Sequence, residues 1–416
     1  MKKLFVLLLS VVLLTACSGS NDDPVTPPAQ PEAPVTVWAY LVADTNIKND
    51  LRNNIKNMYE GLSEMNKQAT LLVYWDGGSK DTYLSASPCI LRYTTDGLGN
   101  INGIPARDSS YTHKQLAQQA EIVKTYPDQL STDKAVMTTV LKDLKGMTQT
   151  SQIALVAGSH GSAWTESIFS PRSARSFGQD GNGTDHTITT WDMANAITDA
   201  GVKVDLMLFD ACMMGTAEVC YDFRNAANYL IVSALDVPAP GFPYQDFMDN
   251  LYEGTVTGYT GICKSYIEFY RTFAGGWGSV ALVDARQMEG LASAVKTQLK
   301  ANKETLYTYS PIDRLQHYGL NPYVTGFKYI AFDMKHFMTD LQGGSVPANF
   351  QSALNQAVLY ADCLEQTEDY TIEKSKFCGL GMYIPVVERP TWNTSFRKTA
   401  WYKAAGWNDI TFSWEN

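Results

Sequence analysis

The chain has no basic cluster beyond Lys2-Lys3, no apolar stretch long enough to cross a bilayer, and no closely spaced cysteine pairs. With 33 basic against 43 acidic residues and a formal charge of -10, nucleic acid is not an expected partner. The first long apolar run, Leu4 to Leu14, falls short of the roughly 20 residues a membrane span needs. The cysteines stand at 17, 89, 212, 220, 263, 363 and 378, too scattered for a disulfide scaffold or a zinc site. An isolated disulfide stays open in an exported chain. There is no internal repeat.

What is present begins with an export leader. Lys2 and Lys3 precede the apolar run, which closes in Leu14-Thr15-Ala16-Cys17. Leu-Thr-Ala-Cys resembles a bacterial lipobox, which implies cleavage after residue 16 and lipid modification of Cys17. The alternative is a soluble leader with an incidental cysteine. Attached acyl chains would hold the protein on a membrane surface. Losing Lys2 and Lys3 with the leader would take the net charge from -10 to -12. Residues 17–34 carry prolines at 24, 27, 28, 31 and 34 and no apolar period, so they read as a stiff tether. Asp22 and Asp23 resemble the surface-export signal of some Bacteroidetes lipoproteins. The expected location is therefore the bacterial cell envelope, on the outer membrane and open to the surface.

Beyond the tether, apolar strands alternate with stretches of helical spacing. Strands are expected at Val35 to Val42, Thr70 to Trp75, Gln152 to Ala157, Val204 to Phe209, Tyr229 to Ala234 and Ser279 to Asp284. Helices are expected over Ile47 to Lys67, about 131–146, 190–200, 259–273, 287–303 and 347–366, with a further strand at Leu380 to Pro385. Strands apolar throughout and separated by helices argue an α/β fold, a mostly parallel sheet with helices on both faces. The boundaries read as a catalytic domain over 35–285 and a smaller C-terminal subdomain over 286–416.

Active sites of such sheets lie at the carboxyl ends of the strands. Three turns stand there: Asp76, Gly158-Ser159-His160-Gly161 and Asp210-Ala211-Cys212. Small residues around His160 let the backbone turn sharply and leave room for a substrate. Cys212 follows its strand in the same way, 52 residues after His160. A thiol beside an imidazole can ionise to the nucleophile that attacks an acyl carbon. Caspases show a similar gap of about 50 residues from His to Cys. A lone Cys after an apolar strand is more often a small core residue; the pair at successive strand ends carries the catalytic reading.

The Ser-His-Gly turn and the Asp-Ala-Cys-Met-Met-Gly turn resemble those of the clostripain family, relatives of the caspases and gingipains. Tyr40-Leu-Val-Ala-Asp-Thr-Asn46 is similar to the family's opening strand and turn, and Leu72-Val-Tyr-Trp-Asp76 to its second strand. Asp185 to Ile197 resembles the segment leading into its next helix, and Gly379 to Pro385 its C-terminal end. The resemblance implies a caspase-like fold and a cysteine endopeptidase acting on a peptide or protein substrate. It implies Cys212 as nucleophile, His160 as general acid/base, and the N–H groups of Gly161 and Cys212 as oxyanion hole. Asp210 occupies a position often acidic in the family. It would support the dyad or cap the following helix.

Family members typically cleave after Arg or Lys, using an acid in the P1 pocket. Where relatives carry acids just after a serine, this chain has Ala234 and Leu235, so Asp236 is the nearest candidate. The alternative is that Asp236 is an exposed loop residue. Relatives are often matured by cleavage between the two catalytic turns, which makes Arg172 and Arg175 candidate self-cleavage sites. No cofactor is implied. Asp180-Gly-Asn-Gly-Thr-Asp185 looks like a calcium loop but lacks Gly at the sixth position, and Trp191 stands where the closing Glu belongs. Calcium dependence therefore stays open. The runner-up function is a catalytically silent surface lipoprotein binding glycan or protein; a third is transpeptidation by the same dyad.

Overall fold

The computed structural model describes residues 31–81, 83–95, 120–164, 177–181, 186–273, 275–312, 314–319, 331–366 and 371–415. Strand β1 (Val35–Val42) leads through helix α1 (Lys48–Glu64) to β2 (Thr70–Asp76), then β3 (Cys89–Thr94) and β4 (Glu121–Thr125). Helix α2 (Lys134–Met147) precedes β5 (Gln152–Gly158), β6 (Phe177–Asp180) and β7 (His186–Ile188). Next come α3 (Thr190–Asp199), β8 (Val204–Asp210), α4 (Ala217–Asp222) and β9 (Ala227–Val232). Helices α5 (Tyr244–Glu253) and α6 (Val256–Thr272) lead to β10 (Ser279–Asp284), α7 (Met288–Ala301) and α8 (Lys303–Tyr307). The chain continues with β11 (His317–Tyr318), β12 (Ala331–Asp333), α9 (Met334–Leu341), α10 (Ala348–Ala357), β13 (Val358–Cys363) and β14 (Gly381–Met382). It ends with α11 (Pro390–Phe396) and α12 (Ala400–Ala404).

Nine strands form one sheet in the order β13-β10-β9-β8-β5-β1-β2-β3-β4. The five central strands, β9 to β2, are parallel, and the outer pairs are antiparallel. All eight residues of β1 are buried because its two faces feed two cores. Trp38, Tyr40 and Val42 enter one cluster with Met207 and Phe209 of β8. Val37, Ala39 and Leu41 enter the other with Leu206 and Leu208. Helices α1, α5 and α6 cover the second face, and α2, α3 and α7 the first. A strand buried on both faces needs apolar residues in succession, which is why these segments show no alternation.

The sheet continues past residue 285, since β13 pairs antiparallel with β10 at its edge. The same apolar cluster extends from Trp38 to Phe412, so α11 and α12 pack on the core that β8 helps to build. Two expected elements differ. The helix expected over 347–366 stops at Ala357, and Val358–Cys363 is the edge strand β13, only partly buried. The strand expected at Leu380 to Pro385 shrinks to Gly381–Met382, which bonds β12 and bridges to Thr216. Among the described residues, no helix is long and apolar enough to cross a membrane. The leader, Cys17 and the tether up to residue 30 lie outside the described residues.

From β1 the chain moves to β2 on one side, and later to β5 and β8 on the other. The crevice at that reversal, outside the carboxyl ends of β1 and β5, is where open α/β sheets bind ligands.

Candidate active site

Strand β5 ends opposite β8, with Gly158 level with Asp210. The following turn is tied down at several points. Ser159 Oγ donates to the Val42 carbonyl at 2.9 Å and accepts the Gln179 N–H at 3.2 Å. The His160 carbonyl accepts the Gly178 N–H at 2.9 Å. These bonds anchor the His160 backbone to β1 and β6, and leave its imidazole half-buried at the sheet edge.

Gly161 brings the His160 and Cys212 turns together. A Cβ there would lie 2.4 Å from the Cys212 carbonyl oxygen and 3.0 Å from its amide nitrogen. Only glycine allows that approach. Neither the Gly161 nor the Cys212 N–H is taken by a backbone carbonyl among the described residues. The turn after β8 is held by Met213 N–H to Leu235 O at 2.9 Å and Gly215 N–H to Ser233 O at 2.7 Å. Met213 sits at φ 63° and Ala163 at φ 58°, both in the left-handed region that non-glycine residues rarely occupy. Both flank the proposed chemistry, where such strain tends to concentrate.

The Cys212 thiol is half-buried and occupied. Val237 N–H donates to its sulfur at 3.3 Å, and the Val237 carbonyl lies 3.8 Å away. Burial pushes the thiol pKa well above its ordinary value, and the negative charge of Asp236 adds to the effect. Asp236 is thus not an exposed loop residue; it is half-buried.

Asp210 does not cap the following helix. Its carboxylate accepts Asn54 Nδ2 and the Tyr244 hydroxyl, each at 2.8 Å. Helix α4 is capped by Thr216, so Asp210 caps no helix. It clamps α1 to the Gly241-to-Tyr244 segment because both bring donors to the end of β8. Burial raises its pKa to about 6.

One side chain escaped the sequence reading. Asn46 Oδ1 lies 2.8 Å from His160 Nε2, and it also accepts the Thr45 hydroxyl at 3.0 Å. An oxygen acceptor opposite Nε2 makes that nitrogen the N–H, leaving Nδ1 as the basic atom of a neutral ring. Asn46 lies just beyond β1, at the same sheet edge as His160 and Cys212. Arg172 and Arg175 lie outside the described residues, as do 182–185 of the calcium-like loop. Asp180, its first residue, accepts the Ser131 N–H at 2.5 Å and is buried beside Asp76.

A family model described as the clostripain family matches residues 39–414. The chain belongs to the clostripain family of cysteine peptidases. Clostripain of Hathewaya histolytica is 26% identical over 243 residues, covering 53% of this chain and 42% of that protein. The chain thus matches less than half the length of that curated relative. A secreted C11 cysteine protease of Bacteroides thetaiotaomicron, solved with an irreversible peptide inhibitor, superposes with a TM-score of 0.68. It is 22% identical, covering 90% of this chain and 99% of that one. An inactive zymogen C11 protease of Parabacteroides distasonis gives 0.69 at 22% identity, over 92% and 99%. These likenesses establish the clostripain fold, a caspase-like α/β sheet, for this chain.

Proposed function

We propose that this clostripain-family chain is a cysteine endopeptidase in which Cys212 and His160 form the catalytic dyad. The observation that carries the reading is the contact of the Gly161 turn with the Cys212 backbone at adjacent ends of β5 and β8. The thiol proton passes to His160 Nδ1, and the Cys212 sulfur attacks the scissile carbonyl. The oxyanion is received by the N–H groups of Gly161 and Cys212, where one such donor is worth roughly 3 kcal/mol of barrier. The imidazolium then protonates the departing amine, leaving a thioester on Cys212. Water, deprotonated by His160, hydrolyses the thioester and restores the thiol. No cofactor enters this scheme.

Substrate preference follows from charge. Asp236 is the carboxylate at the nucleophile, so the reading assigns it the P1 side chain, Arg or Lys. Such a preference lets the enzyme mature by cutting itself at Arg172 or Arg175, between the two halves of its dyad. The lipobox-like Cys17 would hold it on the envelope.

Fluorogenic Arg- and Lys-peptides should be turned over by the wild type and not by Cys212→Ala. Gel electrophoresis should show two fragments for the wild type and one chain for Cys212→Ala. A fully active but intact wild type overturns self-cleavage. Absence of turnover across a broad P1 library overturns the peptidase reading.

A further inference from the structure

A cavity of about 720 Å³ lies where the start of α3, the end of α4 and the turn from α11 to α12 meet. Its lining includes Trp164, which follows His160 by four residues, so at most about 14 Å of extended chain separates their Cα atoms. Trp164 packs on Tyr383 and Phe396, with ring centroids 5.1 and 5.4 Å away, and is 5% exposed. Its indole N–H is buried and has no acceptor among the described residues. From α3 come Trp191, 48% exposed, and Asp192, which accepts the Thr189 hydroxyl at 3.0 Å. The Thr190 hydroxyl donates to Asp222 at 2.8 Å and ties α3 to α4. Lys398 and Lys403 complete the lining from the other side of the sequence, and both are exposed.

The lining carries ammonium and carboxylate groups together, which suits neither a polyanion nor a polycation. A pyranose ring suits it. Sugar hydroxyls donate and accept, so they bond to both kinds of charge, and the C–H face of the ring lies flat on an exposed indole. An oxygen of the same occupant satisfies the Trp164 N–H, a buried donor that the fold leaves unpaired. The volume is that of a small-molecule site. We propose that this cavity is a glycan subsite: it holds a neutral sugar of a glycoprotein substrate while the substrate's chain lies over Cys212. The span from Trp164 to His160 sets the reach, so the sugar stands on a residue about four positions from the scissile bond. The choice of substrate rests on the peptidase reading above; the binding of sugar does not.

A printed array of neutral, sialylated and sulfated oligosaccharides, probed with fluorescently labelled Cys212→Ala, reads binding apart from turnover. Neutral oligosaccharides should bind, and adding Trp191→Ala should weaken that binding roughly tenfold, the scale of one lost aromatic contact. Trp191 is half open to solvent, so its removal should leave the melting temperature unchanged. Binding confined to sialylated or sulfated sugars overturns the neutral ligand. No binding, or binding that Trp191→Ala leaves intact, overturns the site. The substrates for the active enzyme are an Arg peptide carrying the array's tightest-bound neutral glycan about four residues from the Arg, and its unglycosylated twin. Wild type should cut the glycosylated peptide with a kcat/KM several-fold higher, through KM. Trp191→Ala should lose that preference and cut the twin at the wild-type rate. If the two peptides are cut alike while the array signal depends on Trp191, the sugar site stands and its part in substrate choice is wrong. If neither peptide is cut, the peptidase reading fails and the array result still decides the sugar site.

Discussion

In the proposed mechanism Asn46 is a positioning residue whose effect passes through the His160 ring. A neutral imidazole can carry its proton on either nitrogen, and only one tautomer presents a base to the thiol. The 2.8 Å contact with Nε2 selects that tautomer and fixes the ring plane. Asn46→Ala should lower kcat by roughly ten- to a hundredfold, part of what a positioned acid/base contributes. KM should hardly move, because the bond is not to substrate. Asn46→Asp restores the acceptor but places a negative charge beside the ring. That favours imidazolium and should shift the acid limb of the kcat–pH profile upward. Steady-state kinetics across pH measures both, and an unchanged kcat in Asn46→Ala would remove Asn46 from the mechanism.

The His160 and Cys212 turns behave as one element because Gly161 lies against the Cys212 backbone. Gly161→Ala places a methyl 2.4 Å from the Cys212 carbonyl oxygen, a contact that backbone atoms must yield to relieve. The displaced groups include both proposed oxyanion donors, so turnover should fall by about a hundredfold or more. Ala163→Gly is the counterpart in the same loop. It relieves a left-handed alanine at φ 58°, so it should gain up to about 1 kcal/mol by thermal melting and keep most activity. A Gly161→Ala enzyme with wild-type kcat/KM would refute the close contact. His160 and Cys212 were legible in the sequence because each follows a run apolar on both faces and is flanked by small residues. Asn46 was not, because its neighbour in space is β5, 114 residues away, and the break after β1 reads as an ordinary turn. The part of Asp210 was hidden for the same reason, since its donors come from α1 and from the segment before α5. Strand β13 was hidden by its partial exposure, which denies it both the alternating and the continuous apolar pattern.

The whole molecule buries several carboxyls. Asp210 is raised to about 6, Asp180 and Asp222 to about 7, and Glu218 to about 8, each chiefly by desolvation. Glu218 accepts the Tyr383 N–H at 2.9 Å, and Asp222 accepts the Thr190 hydroxyl at 2.8 Å. A carboxyl whose pKa is higher in the folded chain binds its proton more tightly there than when unfolded. The resulting stabilisation is complete below about pH 4, the ordinary carboxyl value, and is lost as pH rises through the folded values. Stability should therefore decline between about pH 5 and pH 8. The chain's net negative charge, -10 at neutral pH, adds repulsion in the same direction. The melting temperature should be several degrees higher at pH 5 than at pH 8, given roughly 2–4 °C per kcal/mol for chains of moderate size. Asp222→Asn keeps an acceptor for Thr190 and cannot ionise, so it should flatten the slope between pH 6 and pH 8. Calorimetry of Cys212→Ala and of Cys212→Ala with Asp222→Asn, both free of self-cleavage, measures the difference. A melting temperature that rises from pH 5 to pH 8 would mean that these carboxyls ionise inside the fold at little cost. The interior around α4 would then be more polar than its packing implies.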